Sequence, residues 1–171
     1  MLLEFTTMTD AQAMRMIQSI YTEGCRENAQ EPERHPEGTD LAAAIAEEEQ
    51  GFLEFVREFL SEERNRYYIL EENGEWVSAL RLTHIDDFYY LEALETAENH
   101  RKEGCAVRLL NEVAALLRTR GGVTIRSCVH KKNTPSLATH KKSGFIIAEE
   151  NGTDYIDGSS SERHYGMLYR E

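Results

Sequence analysis

The architecture of this chain follows from the segment Leu91-Glu-Ala-Leu-Glu-Thr-Ala-Glu-Asn-His-Arg-Lys-Glu-Gly-Cys-Ala-Val-Arg-Leu-Leu110. Its first residues are predicted to end a β-strand, a polar loop follows, and an amphipathic helix begins at about Gly104. Such a junction presents free backbone N–H groups and the positive end of the helix dipole, which suit a phosphate or pyrophosphate. Gly104 lets the backbone approach that ligand closely, and the small Ala106 keeps the first helical turn clear.

Before this segment, the sequence predicts a short strand and two helices. The strand Leu2–Thr6 precedes a helix that opens with a capping box at Thr9 and Gln12. Residues Thr22–Asp40 are polar and contain proline and glycine, so they are expected to form a long loop. A second helix is expected from about Leu41, because apolar residues then recur at helical spacing.

Three meandering strands are predicted next, because the apolar period changes from helical to alternating. The runs Arg66–Leu70 and Glu75–Ile85 flank the dipeptide Asn73-Gly74, which is a strong hairpin signal. Phe88–Thr96 is expected to be the third strand. This part of the chain is therefore predicted to form an antiparallel sheet.

After the loop, helices and strands alternate. The unit from Phe88 to His130 should be a right-handed strand–helix–strand crossover with parallel strands. Together these patterns predict a mixed α/β sheet in one domain that spans residues 1–171. The remaining predicted elements are a helix Gly104–Arg120 stopped by Gly121-Gly122, a strand Val123–His130, a short helix capped by Thr134 and closed by Gly144, and two strands within Phe145–Glu171 around the connection Gly152–Arg163.

Charge and cysteine content limit the classes of function. The net charge is −12, from 31 acidic and 19 basic residues, and such a surface repels nucleic-acid phosphates. The three cysteines, Cys25, Cys105 and Cys128, show no CxxC spacing, which favours reduced thiols in the cytoplasm over disulfides. No metal site is expected, because the histidines form no ligand motif. No membrane span or secretory signal is expected either.

Two motifs resemble a known family. Arg101-Lys-Glu-Gly104-Cys-Ala106 matches the Arg/Gln-x-x-Gly-x-Gly/Ala signature of the GNAT superfamily of N-acetyltransferases. Downstream, Asn133-Thr-Pro-Ser136-Leu-Ala-Thr-His140-Lys-Lys-Ser-Gly144-Phe145 resembles the family helix that opens with Asn and ends in Gly-Phe. The resemblance covers about Tyr67 to Phe145. It implies an α/β fold with a mixed, mostly antiparallel twisted sheet of about six or seven strands, splayed in the middle, and about four helices.

The resemblance also implies acetyl-coenzyme A (acetyl-CoA) as co-substrate. The pantetheine arm of the cofactor would insert beside the end of the strand Phe88–Thr96 and bond to its backbone. Main-chain N–H groups of residues 102–107 would hold the pyrophosphate, and the later helix would meet the cofactor. The implied cofactor-binding residues are Leu94, Glu95, Thr96, Arg101, Lys102, Glu103, Gly104, Cys105, Ala106, Val107, Asn133 and Ser136.

Two residues are candidates for catalysis. The amine must lose a proton to attack a thioester, and Glu92 is the candidate base, on the strand face shared with Tyr90 and Leu94 under period-two alternation. Tyr90 stands where some family members carry glutamate, and a water chain is the alternative base. His140 stands where many members place a tyrosine that protonates the leaving sulfur, so it is the candidate acid. A backbone N–H near Thr96 is the candidate oxyanion donor.

The predicted function is therefore acetyl-CoA-dependent N-acetylation of a primary amine on a small molecule or peptide, by direct transfer in a ternary complex. The acceptor is expected between Thr22–Asp40 and Gly152–Arg163, because function often uses such loops. The acidic residues of these segments favour a cationic acceptor; they are Glu23, Glu27, Glu31, Asp154 and Asp157.

Two alternatives remain open: a catalytically inactive CoA-binding sensor or regulatory module, and a transferase that uses a longer acyl-CoA. The missing tyrosine at position 140 favours the first. In every case the protein is expected to be cytoplasmic, a monomer or homodimer, and without nucleic-acid or membrane partners.

Overall fold

The structure is a computed structural model and describes residues 1–121 and 123–171. The helices are α1 (Asp10–Ile20), α2 (Thr22–Ala29), α3 (Leu41–Ser61), α4 (Cys105–Arg118) and α5 (Thr134–Lys142). The strands are β1 (Leu2–Phe5), β2 (Asn65–Glu72), β3 (Glu75–Ile85), β4 (Phe88–Thr96), β5 (Thr124–His130), β6 (Ile146–Glu149), β7 (Gly152–Thr153), β8 (Ser160–Ser161) and β9 (His164–Arg170).

The main sheet has seven strands in the order β1-β2-β3-β4-β5-β9-β6. Its neighbours are antiparallel except β4 and β5, which are parallel and are joined by α4. The predicted mixed, mostly antiparallel sheet is therefore confirmed, as is the parallel crossover. The strands β7 and β8 form a separate two-stranded ladder within the predicted connection Gly152–Arg163.

Alternate residues of β2 enter two apolar clusters on opposite faces of the sheet, because strand side chains point to the two faces in turn. Tyr67 and Ile69 pack with α1 and α3, whereas Tyr68 and Leu70 pack with α4. All four side chains are at most 2% exposed. The sheet therefore separates the N-terminal helices from α4. No helix within residues 1–121 and 123–171 has both the length and the apolar character needed to cross a bilayer.

The segment Thr22–Asp40 is not the continuous loop that the sequence predicts. Its first residues form α2, so the described chain contains five α-helices rather than about four. The polar sequence of α2 has little helical preference, and Gly24 weakens it further. Cys25 and Ala29 lie four residues apart and are both buried. Tertiary packing of this narrow stripe therefore stabilises a helix that composition does not reveal.

Two helix ends also differ from the prediction. Gly104 is the N-cap of α4, with φ 80°, and the helix ends at Arg118 rather than Arg120. Gly121 has φ 120°, which suits a glycine after a helix, whereas Gly122 lies outside the described residues.

The start of α5 differs by one residue. Asn133, not Thr134, is the N-cap, because the Asn133 side chain accepts a hydrogen bond from the Ser136 N–H at 3.1 Å. Asparagine caps helices more strongly than threonine. Gly144 has φ 89° just beyond the helix, as the predicted helix end requires.

Gly152 tests how closely β7 approaches β5 and β9. A Cβ at this position would lie 2.5 Å from Cys128 Sγ and 3.0 Å from the Tyr165 carbonyl oxygen. We expect Gly152→Ala to lower the free energy of unfolding by about 1–3 kcal/mol, measured by chemical denaturation. Gly24→Ala is the control, because no atom lies within 4 Å of its added Cβ. It should stabilise the protein by roughly 0.5–1 kcal/mol. A free energy of unfolding for Gly152→Ala equal to that of the wild type would contradict the close approach of β7 to β5 and β9.

Candidate functional site

The strands β4 and β5 separate after a short paired stretch. Their ladder joins Tyr89–Leu91 to Ile125–Ser127, and no backbone pairing continues beyond it among the described residues. The gap is a cleft of about 160 Å³. It is lined by Leu91, Glu92, Ala93, Leu94, Ser127, Cys128, Val129, His130, Asn133, Ser136 and His140.

A β-bulge at Ala93 bends β4 away from β5. Arg81 pairs with Glu92 but Ala79 pairs with Glu95, so β4 carries one residue more than β3 over this span. Ala93 has φ 50°, a conformation that costs about 1–3 kcal/mol in a non-glycine residue. An added residue of this kind bends its strand and ends regular pairing.

The bulge also places Glu92 and Leu94 on faces of β4 that differ from the predicted arrangement. Leu94 packs against the cluster around α4, whereas Glu92 contacts Arg81 on the opposite face. The prediction that Glu92 and Leu94 share a face is therefore wrong, because the bulge interrupts the period-two alternation between them.

Tyr21, the last residue before α2, holds the bulge in place. Its hydroxyl donates a hydrogen bond of 2.7 Å to the carbonyl oxygen of Ala93. Burial holds the pKa of Tyr21 well above its usual value, so the hydroxyl remains a donor. The bulge removes the Ala93 carbonyl from the β ladder, and the Tyr21 hydroxyl gives this carbonyl a hydrogen-bond donor in place of the ladder.

The loop before α4 forms a cradle of free backbone donors. Within the described part of the chain, no N–H group of residues 102–107 donates a hydrogen bond to a protein acceptor. Lys102 has φ 67° and Gly104 has φ 80°. A Cβ at Gly104 would meet no atom within 4 Å, so the space above the loop is open. Successive free N–H groups at a helix start are a binding site for anions.

The side chain of Arg101 points from this loop towards α2. It forms an ion pair with Glu23 and a second with Glu95 at 3.2 Å. Its hydrogen bond lowers the pKa of the Glu23 carboxyl. Arg26 of α2 contacts Glu98 at 2.7 Å. Two exposed ion pairs therefore connect α2 to the loop.

Glu103 is likewise held by a neighbour. His100 lies 3.0 Å from Glu103 and 3.0 Å from Glu75, and these hydrogen bonds raise the pKa of the imidazole. The exposed Lys102 forms no ion pair with the described residues. Although His100 contacts two carboxylates, the described chain has no group of three His, Cys, Asp or Glu placed to hold a metal ion.

The predicted pantetheine-binding residues occupy the separated edge of β4. The carbonyl oxygen of Glu95 accepts a hydrogen bond from Ser78 Oγ at 2.7 Å. The N–H of Thr96 donates to the carboxylate of Glu95 at 3.1 Å. Leu94 lines the cleft. The Thr96 N–H, which is the candidate oxyanion donor, is therefore already hydrogen-bonded to the side chain of Glu95.

Glu92 lies where the cleft meets the other face of the sheet. Its Oε1 is 3.2 Å from Arg81 Nη2 and its Oε2 is 3.4 Å from Arg81 Nε. Both side chains are about one-fifth exposed. The guanidinium of Arg81 stacks on the ring of Phe55, with 4.6 Å between its central carbon and the ring centroid. This bidentate contact fixes the direction of the Glu92 carboxylate.

His140 is buried at the back of the cleft, with 1% exposure. Its Nδ1 lies 2.8 Å from the carbonyl oxygen of Ser136, so Nδ1 must carry the proton, because a carbonyl oxygen only accepts. Its Nε2 is buried without a hydrogen-bond partner among the described residues. Burial lowers the pKa of the imidazole and so favours the neutral ring, in which Nε2 is an acceptor and not an acid.

A second, larger cavity of about 800 Å³ lies on the face of the sheet that carries α1–α3. The predicted entry loop Thr22–Asp40 contributes to it, but Gly152–Arg163 contributes no lining residue. None of the five acidic residues predicted to surround the acceptor lines this cavity. Its lining residues are Tyr21, Gly24, Cys25, Asn28, Arg34, Glu47, Glu48, Gly51, Phe52, Phe55 and Arg81.

Sequence reasoning missed three residues of this region. Ala93 gives no signal, because alanine is not typical of positive φ. Tyr21 was predicted only as the end of a helical face, since its partner is 72 residues away. Arg81 was detectable, because the predicted three-stranded meander places β3 beside β4, where a basic residue opposite Glu92 indicates an ion pair.

Comparisons with known proteins agree with this geometry. The sequence model of the Acetyltransferase (GNAT) family matches residues 22–145. The PaiA N-acetyltransferase from Thermoplasma acidophilum, solved in complex with coenzyme A, has 14% identity and a TM-score of 0.66, with 100% of this chain and 99% of that chain covered.

Two further solved structures share the fold. The ribosomal-protein-S18-alanine N-acetyltransferase from Escherichia coli has 16% identity and a TM-score of 0.59, with coverage of 99% and 94%. The aminoglycoside 6'-acetyltransferase type Ii has 17% identity and a TM-score of 0.64, with coverage of 99% and 96%. Among curated proteins, no sequence matches.

The burial of His140 predicts a pH dependence of stability. Desolvation holds the pKa of the imidazole below its ordinary value of 6.5, so the folded chain binds fewer protons here than the unfolded chain. The stabilisation is complete above about pH 6.5 and is lost as the pH falls through the folded pKa, with a slope of at most about 1.4 kcal/mol per pH unit.

The measurement compares free energies of unfolding between about pH 7.5 and about pH 5 for the wild type and His140→Phe. The variant should lose less stability over this range. The pKa of His100 is raised and acts in the opposite direction, but it contributes to both proteins and cancels in the difference. Equal pH dependences of the free energy of unfolding in the two proteins would show that His140 has the same pKa in the folded and unfolded states.

Proposed function

The chain belongs to the acetyltransferase (GNAT) family, and we propose that it is an acetyl-CoA-dependent N-acetyltransferase that acts on a primary amine by direct transfer in a ternary complex. The observation that carries this proposal is the open cleft between β4 and β5, followed directly by the free N–H groups of residues 102–107. Coenzyme A has a thiol-bearing arm, which suits the cleft, and a pyrophosphate at the other end of that arm, which suits the N–H groups of residues 102–107. Coenzyme A in the Thermoplasma structure supports the same co-substrate here.

The residues present fit this co-substrate. The cradle offers backbone N–H donors to a pyrophosphate, and Gly104 leaves the space above it free of a Cβ. The edge of β4 beyond its ladder with β5 offers main-chain groups of Leu94 to an extended amide arm. The Thr96 N–H would become available only if it leaves the Glu95 carboxylate. Asn133 and Ser136 line the cleft from α5. When bound, acetyl-CoA supplies an acyl thioester that is activated towards an amine.

Glu92 is proposed to accept the proton of the acceptor ammonium. Glu92 lines the cleft, and Arg81, which lines the large cavity, holds the orientation of its carboxylate. A neutral amine is the attacking species, so a positioned carboxylate that takes its proton accelerates the reaction.

His140 is proposed to contact the reacting groups through Nε2. It donates a proton only as the imidazolium, which burial disfavours. In its neutral form, Nε2 accepts a hydrogen bond from whatever donor the cleft receives. The burial of His140, which disfavours an acid at this position, favours the alternative function, a CoA-binding sensor without turnover. A longer acyl donor is the other alternative, and competition between acyl-CoA species tests it.

Calorimetric titration with acetyl-CoA tests the cradle. We expect saturable binding to the wild type and a loss of affinity of about tenfold or more for Gly104→Ala, because the new Cβ enters the space above the loop. Gly158→Ala is the matched control: Gly158 also has a positive φ, 76°, and open space around its Cβ. It should keep wild-type affinity. The absence of saturable heat with the wild type would end the proposal.

Glu92→Gln tests the base. The amide keeps the size of the side chain but cannot take a proton, so we expect kcat to fall about 10²-fold or more with acetyl-CoA affinity similar to that of the wild type. The assay is thiol release with a panel of amines, and intersecting initial-rate patterns are expected for a ternary complex.

Glu4→Gln is the control, since Glu4 is also a carboxylate held by arginine, at 2.6 Å from Arg120, but lies on the edge strand β1. If Glu92→Gln keeps the kcat of the wild type, Glu92 is not the base. A protein that binds acetyl-CoA and acetylates no amine would instead be the sensor.

A further inference from the structure

We infer that the cavity of about 800 Å³ between α2, α3 and β3 is the acceptor site, and that it takes a primary amine carried on an aromatic or bulky apolar body rather than a polycation. The inference rests on the proposed function and names its substrate class. A volume of this size falls within the range of about 300–1,000 Å³ that is usual for small-molecule sites.

The cavity adjoins the strand that borders the cleft. Arg81 lines the cavity and holds Glu92, which lines the cleft. Tyr21 lines the cavity and donates to the carbonyl oxygen of Ala93, which also lines the cleft. Two wall residues therefore contact β4 where it bends away from β5. An amine bound against Arg81 is therefore separated from the candidate base by that one side chain.

Aromatic rings form one wall of the cavity. The centroids of Tyr21 and Phe52 are 5.0 Å apart in an edge-on arrangement, and those of Phe52 and Phe55 are 6.1 Å apart. Phe55 is 37% exposed, although its neighbours on this helix face are more buried. An aromatic ligand extends this row of rings and removes the exposed ring of Phe55 from water.

The charged groups of the cavity are already paired. Arg34 contacts Glu48 at 3.1 Å, and Arg81 contacts Glu92. Glu48 also lies 2.9 Å from Nε2 of the buried His35. Among the described residues, the buried carboxylate of the lining is therefore engaged, so an acceptor with several positive charges would find no free counter-ion at depth. A single ammonium group needs only one carboxylate, and Glu92 of the adjoining cleft can supply it while it still contacts Arg81.

The remaining groups of the wall are neutral or exposed. Glu47 is 79% exposed, so water screens its charge. Burial raises the pKa of the Cys25 thiol to about 11, so it remains uncharged. The cavity therefore favours an amine with one charge and an apolar body.

Gly51 of α3 provides a test that does not endanger folding. A Cβ at this position meets no atom within 4 Å, and Gly51 lines the cavity. Gly51→Leu replaces a helix-weakening residue with a strong helix former while it fills the cavity. Gln50→Leu is the matched control, because it adds the same side chain to the adjacent exposed position outside the lining.

The experiment measures binding of 2-phenylethylamine and of spermidine, without acetyl-CoA, by calorimetry, and then acetylation of both by thiol release. We expect the aromatic amine to bind the wild type and Gln50→Leu alike, and Gly51→Leu to bind it about tenfold or more weakly, with unchanged affinity for acetyl-CoA. With turnover, kcat/KM should favour 2-phenylethylamine over spermidine by at least about tenfold.

Spermidine preference, no binding of 2-phenylethylamine, or equal affinity in Gly51→Leu and Gln50→Leu would each overturn the inference and leave the proposed function intact. Aromatic-amine binding that responds to Gly51→Leu without any acetylation would support the site and count against the proposed function. Because amine binding is measured directly and apart from acetylation, the experiment distinguishes a wrong acceptor site from a wrong proposed function.

Discussion

The hydrogen bond between Tyr21 Oη and the carbonyl oxygen of Ala93 holds the region together. The bulge at Ala93 places a non-glycine residue at positive φ and ends the pairing of β4 with β5, so it would relax without a partner for its displaced carbonyl. Tyr21 supplies that partner from the N-terminal half of the chain. The cleft therefore depends on packing between segments far apart in sequence, and the end of α1 is part of its framework.

The second constraint is electrostatic. In a chain with net charge −12, a basic side chain readily finds a carboxylate, and Arg101, Arg81 and Arg26 have all done so. Backbone N–H groups cannot be neutralised in this way, because their dipoles carry no net charge. The free donors of residues 102–107 remain available to an anion. An acidic protein can therefore bind a phosphorylated molecule with its main chain.

The sequence is sufficient to predict those features that local pattern determines. The Asn73-Gly74 turn, the alternating strands and the amphipathic α4 specify the sheet and its parallel crossover. Long-range features escape such reasoning: α2 exists because Cys25 and Ala29 are buried by other elements, and the bulge at Ala93 has no residue preference to announce it. The predicted sharing of one strand face by Glu92 and Leu94 failed for this reason, since alternation holds only while a strand is regular.

The cleft and the cavity differ in what they are made of. The loop before α4 offers free backbone N–H groups, whereas the cavity is bounded by residues of α2, α3 and β3. Every residue type except proline has a backbone N–H, so an anion-binding surface built from such groups accepts many different side chains. Positions of the cavity wall that contact neither β4 nor the loop, such as Gly51 of α3, can change the shape and polarity of the cavity without disturbing that surface. For an acetyltransferase with the proposed sites, the acceptor could therefore change through side chains of the cavity while the acetyl-CoA site keeps the same backbone geometry.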